Sequence, residues 1–395
     1  MGVALFSYLL SLTRMLFRDI IGQNSTKRRL VHGVRENRIS HAQLFFGPDG
    51  CGLLPLAVAY ARYVHCTSRE ENDACGQCPS CKKYDKLTHP DLHLVYPIAL
   101  SKDLRVSATV IKEFRDAFFT NPYMTLDDWF SVIEAENKQP VIGTDESGDI
   151  LKKLSLTTFE AEYKIMIIWM AENMNDVASN KLLKLLEEPP DKTLFILVTE
   201  NEDRLLRTIV SRTQLVKVPR LSDEDLSAAL QEKFALNAED AARITFQADG
   251  SFSKAQELVS QNEQATQHLQ LFQQWMRGCL KFDMKRVMET VDEFAASGRE
   301  RQKQFLQYAL EMIRESLLVN YADPKLIRIG GEEKNFIVKF APFVHAANAN
   351  RFMGEINEAH LHITRNGSAK IIFMDLSMKA NELLNVPNPD LKPQA

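Results

Sequence analysis

The chain has 395 residues, 45% of them apolar, which is material for two to three domains at ~150 residues each. Lys and Arg number 48 against 52 Asp and Glu; the net charge of -4 excludes a strongly basic stand-alone nucleic-acid binder, though not a local basic patch. No stretch approaches the ~18 consecutive apolar residues of a membrane span.

Residues 1–12 form a short apolar run with no basic lead and no small-residue cleavage site, so they do not read as a secretory signal. Phe6 stands where a myristoylation pattern needs Ser or Thr. Met15 opens a more conventional beginning, and residues 1–14 read as a loose tail or a start placed too early. The expected compartment is the cytoplasm. A first helix carries Lys27-Arg28-Arg29 with Arg35 and Arg38, which reads as a solvated face.

Residues 42–46 read as a buried strand ending in a glycine turn, followed by a helix over 55–64. Further strands are expected at 92–96, 165–169, 194–198 and 214–218, with helices such as 177–188 between them. Continuous apolar strands alternating with helices predict a parallel sheet covered on both faces. Residues 101–138, acidic and aromatic, read as an irregular insertion. From Leu221 the β signal stops. Ser222-Asp-Glu-Asp225 looks like a capping box. Residues 222–260 read as a small helical unit broken at Gly250-Ser251, and 264–385 as a second helical region with a stripe through Phe305, Ala309, Met312 and Leu317. A last helix is expected over 368–384, and the end from Val386 is punctuated by prolines and reads as frayed. The fold class is α/β followed by all-α.

Of 6 cysteines, Cys66, Cys75, Cys78 and Cys81 crowd together, while Cys51 and Cys279 are isolated and read as packed. In a cytoplasmic chain such crowding points to metal before disulfide. Four thiolates at ~2.3 Å satisfy a closed tetrahedral Zn²⁺ site, which is structural because no coordination position stays open. Gly76 and Pro79 supply the turns that C-x-x-C-x-x-C requires. An iron–sulfur cluster shares the ligand type, and a set of reduced buried cysteines is the bland alternative. His89 and His93 are read as belonging to a loop and a strand, not to a metal.

Residues 47–54, Gly-Pro-Asp-Gly-Cys-Gly-Leu-Leu, have the position and glycine spacing of a Walker A loop, with Gly47, Gly50 and Gly52 as the turn residues. In a working loop a lysine reaches the β- and γ-phosphates and a hydroxyl holds Mg²⁺. Leu53 and Leu54 stand in those places. At the end of the strand over 165–168, where a Walker B Asp-Glu belongs, stand Trp169 and Met170. Lysine, hydroxyl, metal ligand and water-orienting carboxylate are missing together on an intact strand framework. ATP binding is therefore doubtful.

Ile21-Gly-Gln23, Ser40-His-Ala-Gln-Leu-Phe-Phe-Gly-Pro48, Asn180-Lys-Leu-Leu-Lys-Leu-Leu-Glu-Glu-Pro-Pro190 and Ser211-Arg-Thr213 resemble the clamp-loader branch of the AAA+ proteins. The likeness is continuous over 15–250, weaker beyond, and nearer to the delta-prime subunits of bacterial DNA polymerase III than to gamma/tau. It implies a RecA-like AAA+ domain over 15–220 with a zinc module at about 66–82, a helical lid over 221–262 and a helical oligomerisation domain over 263–395. It also implies a subunit without ATPase activity of its own, working with gamma/tau ATPase subunits and a delta subunit to load a sliding clamp onto primed DNA, with no membrane partner. The arginine of Ser-Arg-Cys is an arginine finger in this family; here it is Arg212, followed by Thr213 in place of Cys. Lys254 resembles a sensor-2 position, and a solvated lysine at a helix start is the preferred reading. Two other functions remain open: an active gamma/tau-type ATPase, which needs substitutes for the missing groups such as Glu172, and a zinc-containing adaptor that binds nucleic acid or protein.

Overall fold

The protein is represented by a computed structural model that describes residues 15–321 and 331–388. The tail expected over 1–14 and the last part of the frayed end, from 389, lie outside the described residues. The chain divides into two compact units, Met1–Val259 and Ser260–Ala395.

The first unit is built on five parallel strands in the order β2-β3-β4-β1-β5. They are β1 (Ala42–Phe46), β2 (Leu92–Val95), β3 (Lys164–Trp169), β4 (Thr193–Thr199) and β5 (Gln214–Lys217). Every residue of β3 and β4 is buried, as expected of central strands covered on both faces. Side chains alternate between two cores. Ile165, Ile167 and Trp169 join Leu194, Ile196 and Val198 on the face covered by α2 (Leu53–His65), while Met166, Ile168, Phe195 and Leu197 fill the opposite core. The edge strand β5 buries only Val216.

Around the sheet lie α1 (Asn24–Arg35), α3 (Pro79–Tyr84), α4 (Ile111–Thr120), α5 (Leu126–Val132), α6 (Thr144–Ser155), α7 (Asp176–Glu187) and α8 (Arg207–Val210). Residues 101–138 are not irregular: they supply α4 and α5, and Phe114, Phe118, Trp129 and Phe130 are buried in the core on the α2 face. The Tyr96 ring stacks on Phe114 at 3.8 Å, and Trp129 meets Phe114 edge-on at 5.2 Å while its Nε1 donates to the Pro97 carbonyl. Phe114 and Phe118 are one helical turn apart, and Thr125 with Asp128 makes a reciprocal capping box at the start of α5. The acidic residues that made the stretch look unstructured lie on outward faces.

After the sheet come α9 (Asp223–Phe234), α10 (Ala238–Ala248) and α11 (Phe252–Lys281), the last of which ends in the second unit. Ser222 caps α9 through the Asp225 N–H at 3.1 Å. Leu226, Leu230, Ile244, Phe252 and Val259 form a small core of their own. The second unit continues with α12 (Met284–Ala296), α13 (Arg299–Tyr321), α14 (Gly331–Phe340), α15 (Ala349–Thr364) and α16 (Ala369–Leu384). Its core centres on Phe272, Trp275, Phe294, Phe305 and Phe373, with Phe294 stacked on Phe373 at 4.0 Å and Trp275 Nε1 donating to Ser377 Oγ. Phe305, Ala309 and Met312 are buried, and Leu317 packs at the edge. Among the described residues, no helix is long and apolar enough to cross a membrane.

Phe114→Ala should destabilise the first unit by ~3–5 kcal/mol, the cost of emptying an aromatic core site. Urea unfolding followed by tryptophan fluorescence will read it as a lower midpoint; an unchanged midpoint would mean that α4 is not part of the core.

Candidate functional site

The glycine loop turns between β1 and α2. Gly50 and Gly52 adopt φ of +70° and +91°, a region that L side chains rarely enter. Neither has room for a side chain: a Cβ at Gly50 would lie 2.1 Å from Ser251 Oγ, and one at Gly52 would lie 3.0 Å from Tyr123 Cε1. Gly47 closes against the Val218 carbonyl in the same way. Gln23 ties the preceding segment to the loop, its Nε2 donating to the carbonyls of Cys51 and Pro219. Leu53 and Leu54 open α2 as core residues. The Cys51 thiol is buried and pushed up to about 12, first by burial and then by the nearby carboxylates of Glu200 and Asp49, so it offers no nucleophile. At the end of β3, Trp169 is buried with its ring 5.8 Å from Phe114, and Met170 is buried beside it. Leucine, tryptophan and methionine present neither charge nor a hard oxygen to a phosphate or Mg²⁺.

The groups that do face this region are acidic. Glu172 accepts the Glu200 backbone N–H at 3.0 Å, and Asp49 accepts from Ser253 Oγ at 3.0 Å. Glu200 is an exposed residue whose carboxyl lies beside Asp49 and Glu172. Burial first, and then those two charges, push it up to about 8. A phosphate here would meet carboxylates.

Arg212 lies in the turn between α8 and β5. Its Nη2 is 2.7 Å from Glu187 Oε1, and its Nη1 donates to the Thr208 carbonyl at 3.1 Å. The side chain is 37% exposed. Thr213 turns inward and donates to the Val210 carbonyl. Glu187 ends α7 within the Leu-Leu-Glu-Glu-Pro-Pro run, so two of the sequence motifs meet at this ion pair.

The structure brings Cys66, Cys75, Cys78 and Cys81 together, with all four Sγ atoms within 4.8 Å of one another. Cys66 follows α2, and Cys78 and Cys81 bracket the start of α3. Backbone N–H groups of Cys75, Gln77, Cys78 and Cys81 donate to cysteine sulfurs at 3.3–3.4 Å. Burial opposes ionisation of Cys78, but the Cys81 N–H and Thr67 prevail and hold its thiol down at about 6. The fully buried Arg62 guanidinium lies by Cys81 and pairs with Asp85 at 2.9 Å, and its Nε and Nη1 have no hydrogen-bond partner. A buried cation beside four thiolates suits a tetrathiolate–M²⁺ centre, whose net charge is negative. The donor set fits structural zinc. Among the described residues, no other His, Cys, Asp or Glu group converges in this way.

The remaining candidates join neither the cysteine cluster nor the Arg212 ion pair. Lys254 is exposed at the start of α11. His89 is buried against His65 and Tyr84, and its neighbour Asp91 accepts the N–H groups of Phe159, Glu160 and Ala161. Arg28, Arg29, Arg35 and Arg38 are exposed, whereas Lys27 is drawn in and held down at about 8, burial outweighing the acidic neighbours. Sequence reasoning missed Tyr123 altogether. The signal was present: Asn121-Pro122 is a turn, and Thr125-x-x-Asp128 marks a helix start just behind it.

Glu200 has a folded value above its ordinary 4.5, so its favourable contribution is complete at acid pH and is lost as pH rises through about 8. Glu200→Gln should therefore leave Tm unchanged at pH 4 and raise it at pH 9 by up to ~3 °C, the scale of a water-screened charge. Thermal melts at both pH values check this; a gain at pH 4 alone would contradict it.

A family model described as DNA polymerase III, delta subunit, matches residues 22–222, just over half of the chain. The DNA polymerase III subunit delta' of Bacillus subtilis is 27% identical over 79% of this chain and 80% of its own length. The subunit tau of the same organism is 26% identical over 62% of this chain and 37% of its own length. A subunit gamma from Buchnera aphidicola is 25% identical over 62% of this chain and 57% of its own. With a parallel sheet, a glycine loop and an all-helical second unit in place, the chain belongs to the DNA polymerase III delta-subunit family, as a delta-prime-like clamp-loader subunit.

Proposed function

We propose that this subunit hydrolyses no ATP itself and instead offers Arg212 to the nucleotide site of a neighbouring ATPase subunit. The observation that carries this reading is a contrast within one unit. The positions that would handle phosphate and metal, Leu53, Leu54, Trp169 and Met170, are sunk in hydrophobic core, while Arg212 stands exposed at the surface. A planar guanidinium can bridge phosphate oxygens and stabilise the charge that develops during γ-phosphoryl transfer. Glu187 and the Thr208 carbonyl hold the guanidinium in a limited range of orientations before any neighbour arrives, which lowers the entropy lost on engagement.

In this reading residues 15–220 act as a RecA-like AAA+ domain, 221–262 as a lid and 263–395 as the part that assembles with gamma/tau and delta subunits. The sliding clamp and primer-template DNA are reached through that assembly. Zn²⁺ on Cys66, Cys75, Cys78 and Cys81 is structural: it fixes the segment between α2 and α3 and takes no part in the chemistry.

ATP turnover tests the first claim. The chain alone should show none. The part of its ATPase partners' turnover that depends on this chain should fall at least ~10-fold with Arg212→Ala, given what arginine fingers contribute elsewhere. Turnover by the pure chain would favour an active gamma/tau-type ATPase. Partner turnover indifferent to the chain, wild type or variant, would favour the adaptor.

The metal claim has its own test. Elemental analysis of the purified chain should give one zinc per chain, lost in Cys78→Ser together with ~5 °C or more of Tm. A metal-free chain with four freely titrating thiols and an unchanged Tm would refute it.

A further inference from the structure

The role of residues 101–138 is not explained by the finger or by zinc. This segment reaches the glycine loop through Tyr123. Its ring edge lies against Gly52, at the closest approach a Cβ there would allow. Its hydroxyl oxygen accepts the backbone N–H of Ile21 at 2.9 Å. Its ring meets Phe252, at the start of α11, edge-on at 4.8 Å. Tyr123 is 4% exposed and belongs to the small core of α9, α10 and α11, not to the core that holds the rest of the insertion. One side chain therefore touches the segment before α1, the glycine loop and the helices after β5.

We propose that Tyr123 is a built-in ligand of the glycine loop: a phenol ring, supplied by the insertion, that fills the cleft between the loop, Ile21 and Phe252 and fastens the helices of residues 221–259 to the sheet without any nucleotide. Three features support it. Gly52 has a backbone conformation open to glycine, and the Tyr123 ring edge packs 3.0 Å from where a Cβ there would lie. The Ile21 N–H is buried, and its partner is a side chain 102 positions away; without Tyr123 it would need water or another acceptor. Burial pushes the Tyr123 hydroxyl well up, the Ile21 N–H opposing only in part, so it stays neutral. The ring is thus a neutral aromatic of p-cresol size with one hydrogen-bonding oxygen. That is the chemical class of ligand the cleft accepts once the side chain is cut away. The inference goes beyond the finger reading and holds whether or not Arg212 acts in trans.

The test uses the full-length chain and p-cresol, which is the tyrosine side chain as a free molecule. Tyr123→Ala should lose ~5 °C or more of Tm. It should also speed amide hydrogen exchange over residues 221–259 at least ~10-fold, beyond any change in the second unit. Millimolar p-cresol should recover both losses in a saturable way and leave the wild type unchanged. Tyr123→Phe, which keeps the ring, should speed exchange at Ile21 and little else. Uniform loosening of Tyr123→Ala without p-cresol rescue would overturn the proposal, as would ATP raising the wild-type Tm. If Tyr123→Ala fails to fold, Tyr123→Phe decides: an Ile21 amide that exchanges at the wild-type rate overturns the hydroxyl contact.

Discussion

The ladder that joins β1, β4 and β3 is the constraint on which the rest depends. These three strands lie inside the sheet, flanked on both edges, and nearly every side chain on them is buried. A parallel ladder of this kind needs a crossover for each step and cover on both faces. The glycine loop, the turn after β3 and the turn that carries Arg212 are where those crossovers leave or enter strand ends. Their positions follow from the sheet, whatever residues occupy them.

The framework therefore stands without charged groups at the ends of these strands. A lysine at position 53 or a carboxylate at position 169 is not needed for the ladder. With Leu53 and Trp169 in those places, two polar points become extra core, and Trp169 gains Phe114 as a ring neighbour. Residues 101–138 reach both places, Phe114 at the end of β3 and Tyr123 at Gly52. A charged group returned to position 169 would be desolvated among aromatic rings and left without a partner.

Much of this was legible in the sequence because it depends on local pattern. The strands lie within a residue or two of their apolar runs, and the four cysteines carry their own spacing. Residues 101–138 were harder. Their order comes from aromatic side chains packing against Tyr96 and against Trp169 and Gly52, the last two distant in sequence, and charges at the surface hid the helical period. The Glu187–Arg212 pair was invisible for the same reason: both motifs could be read, but their contact is made by the fold. Arg62 gave no signal either, since a cation inside an apolar helix looks like an error until Cys81 and Asp85 are seen beside it.

Helix α2 joins two of these features end to end. It starts on Gly52 and runs directly into Cys66, with Arg62 buried one turn before that cysteine. Thirteen residues at 1.5 Å each make it a strut of ~20 Å, and every residue turns the next by ~100°. One residue more or fewer would swing Cys66 and Arg62 away from the other three sulfurs, or else rotate the glycine loop out from under β5. Residues 101–138 lie between β2 and β3, where a change of length leaves the strand ladder in register. The strut has no such freedom, and its length is the dimension along which related chains should vary least.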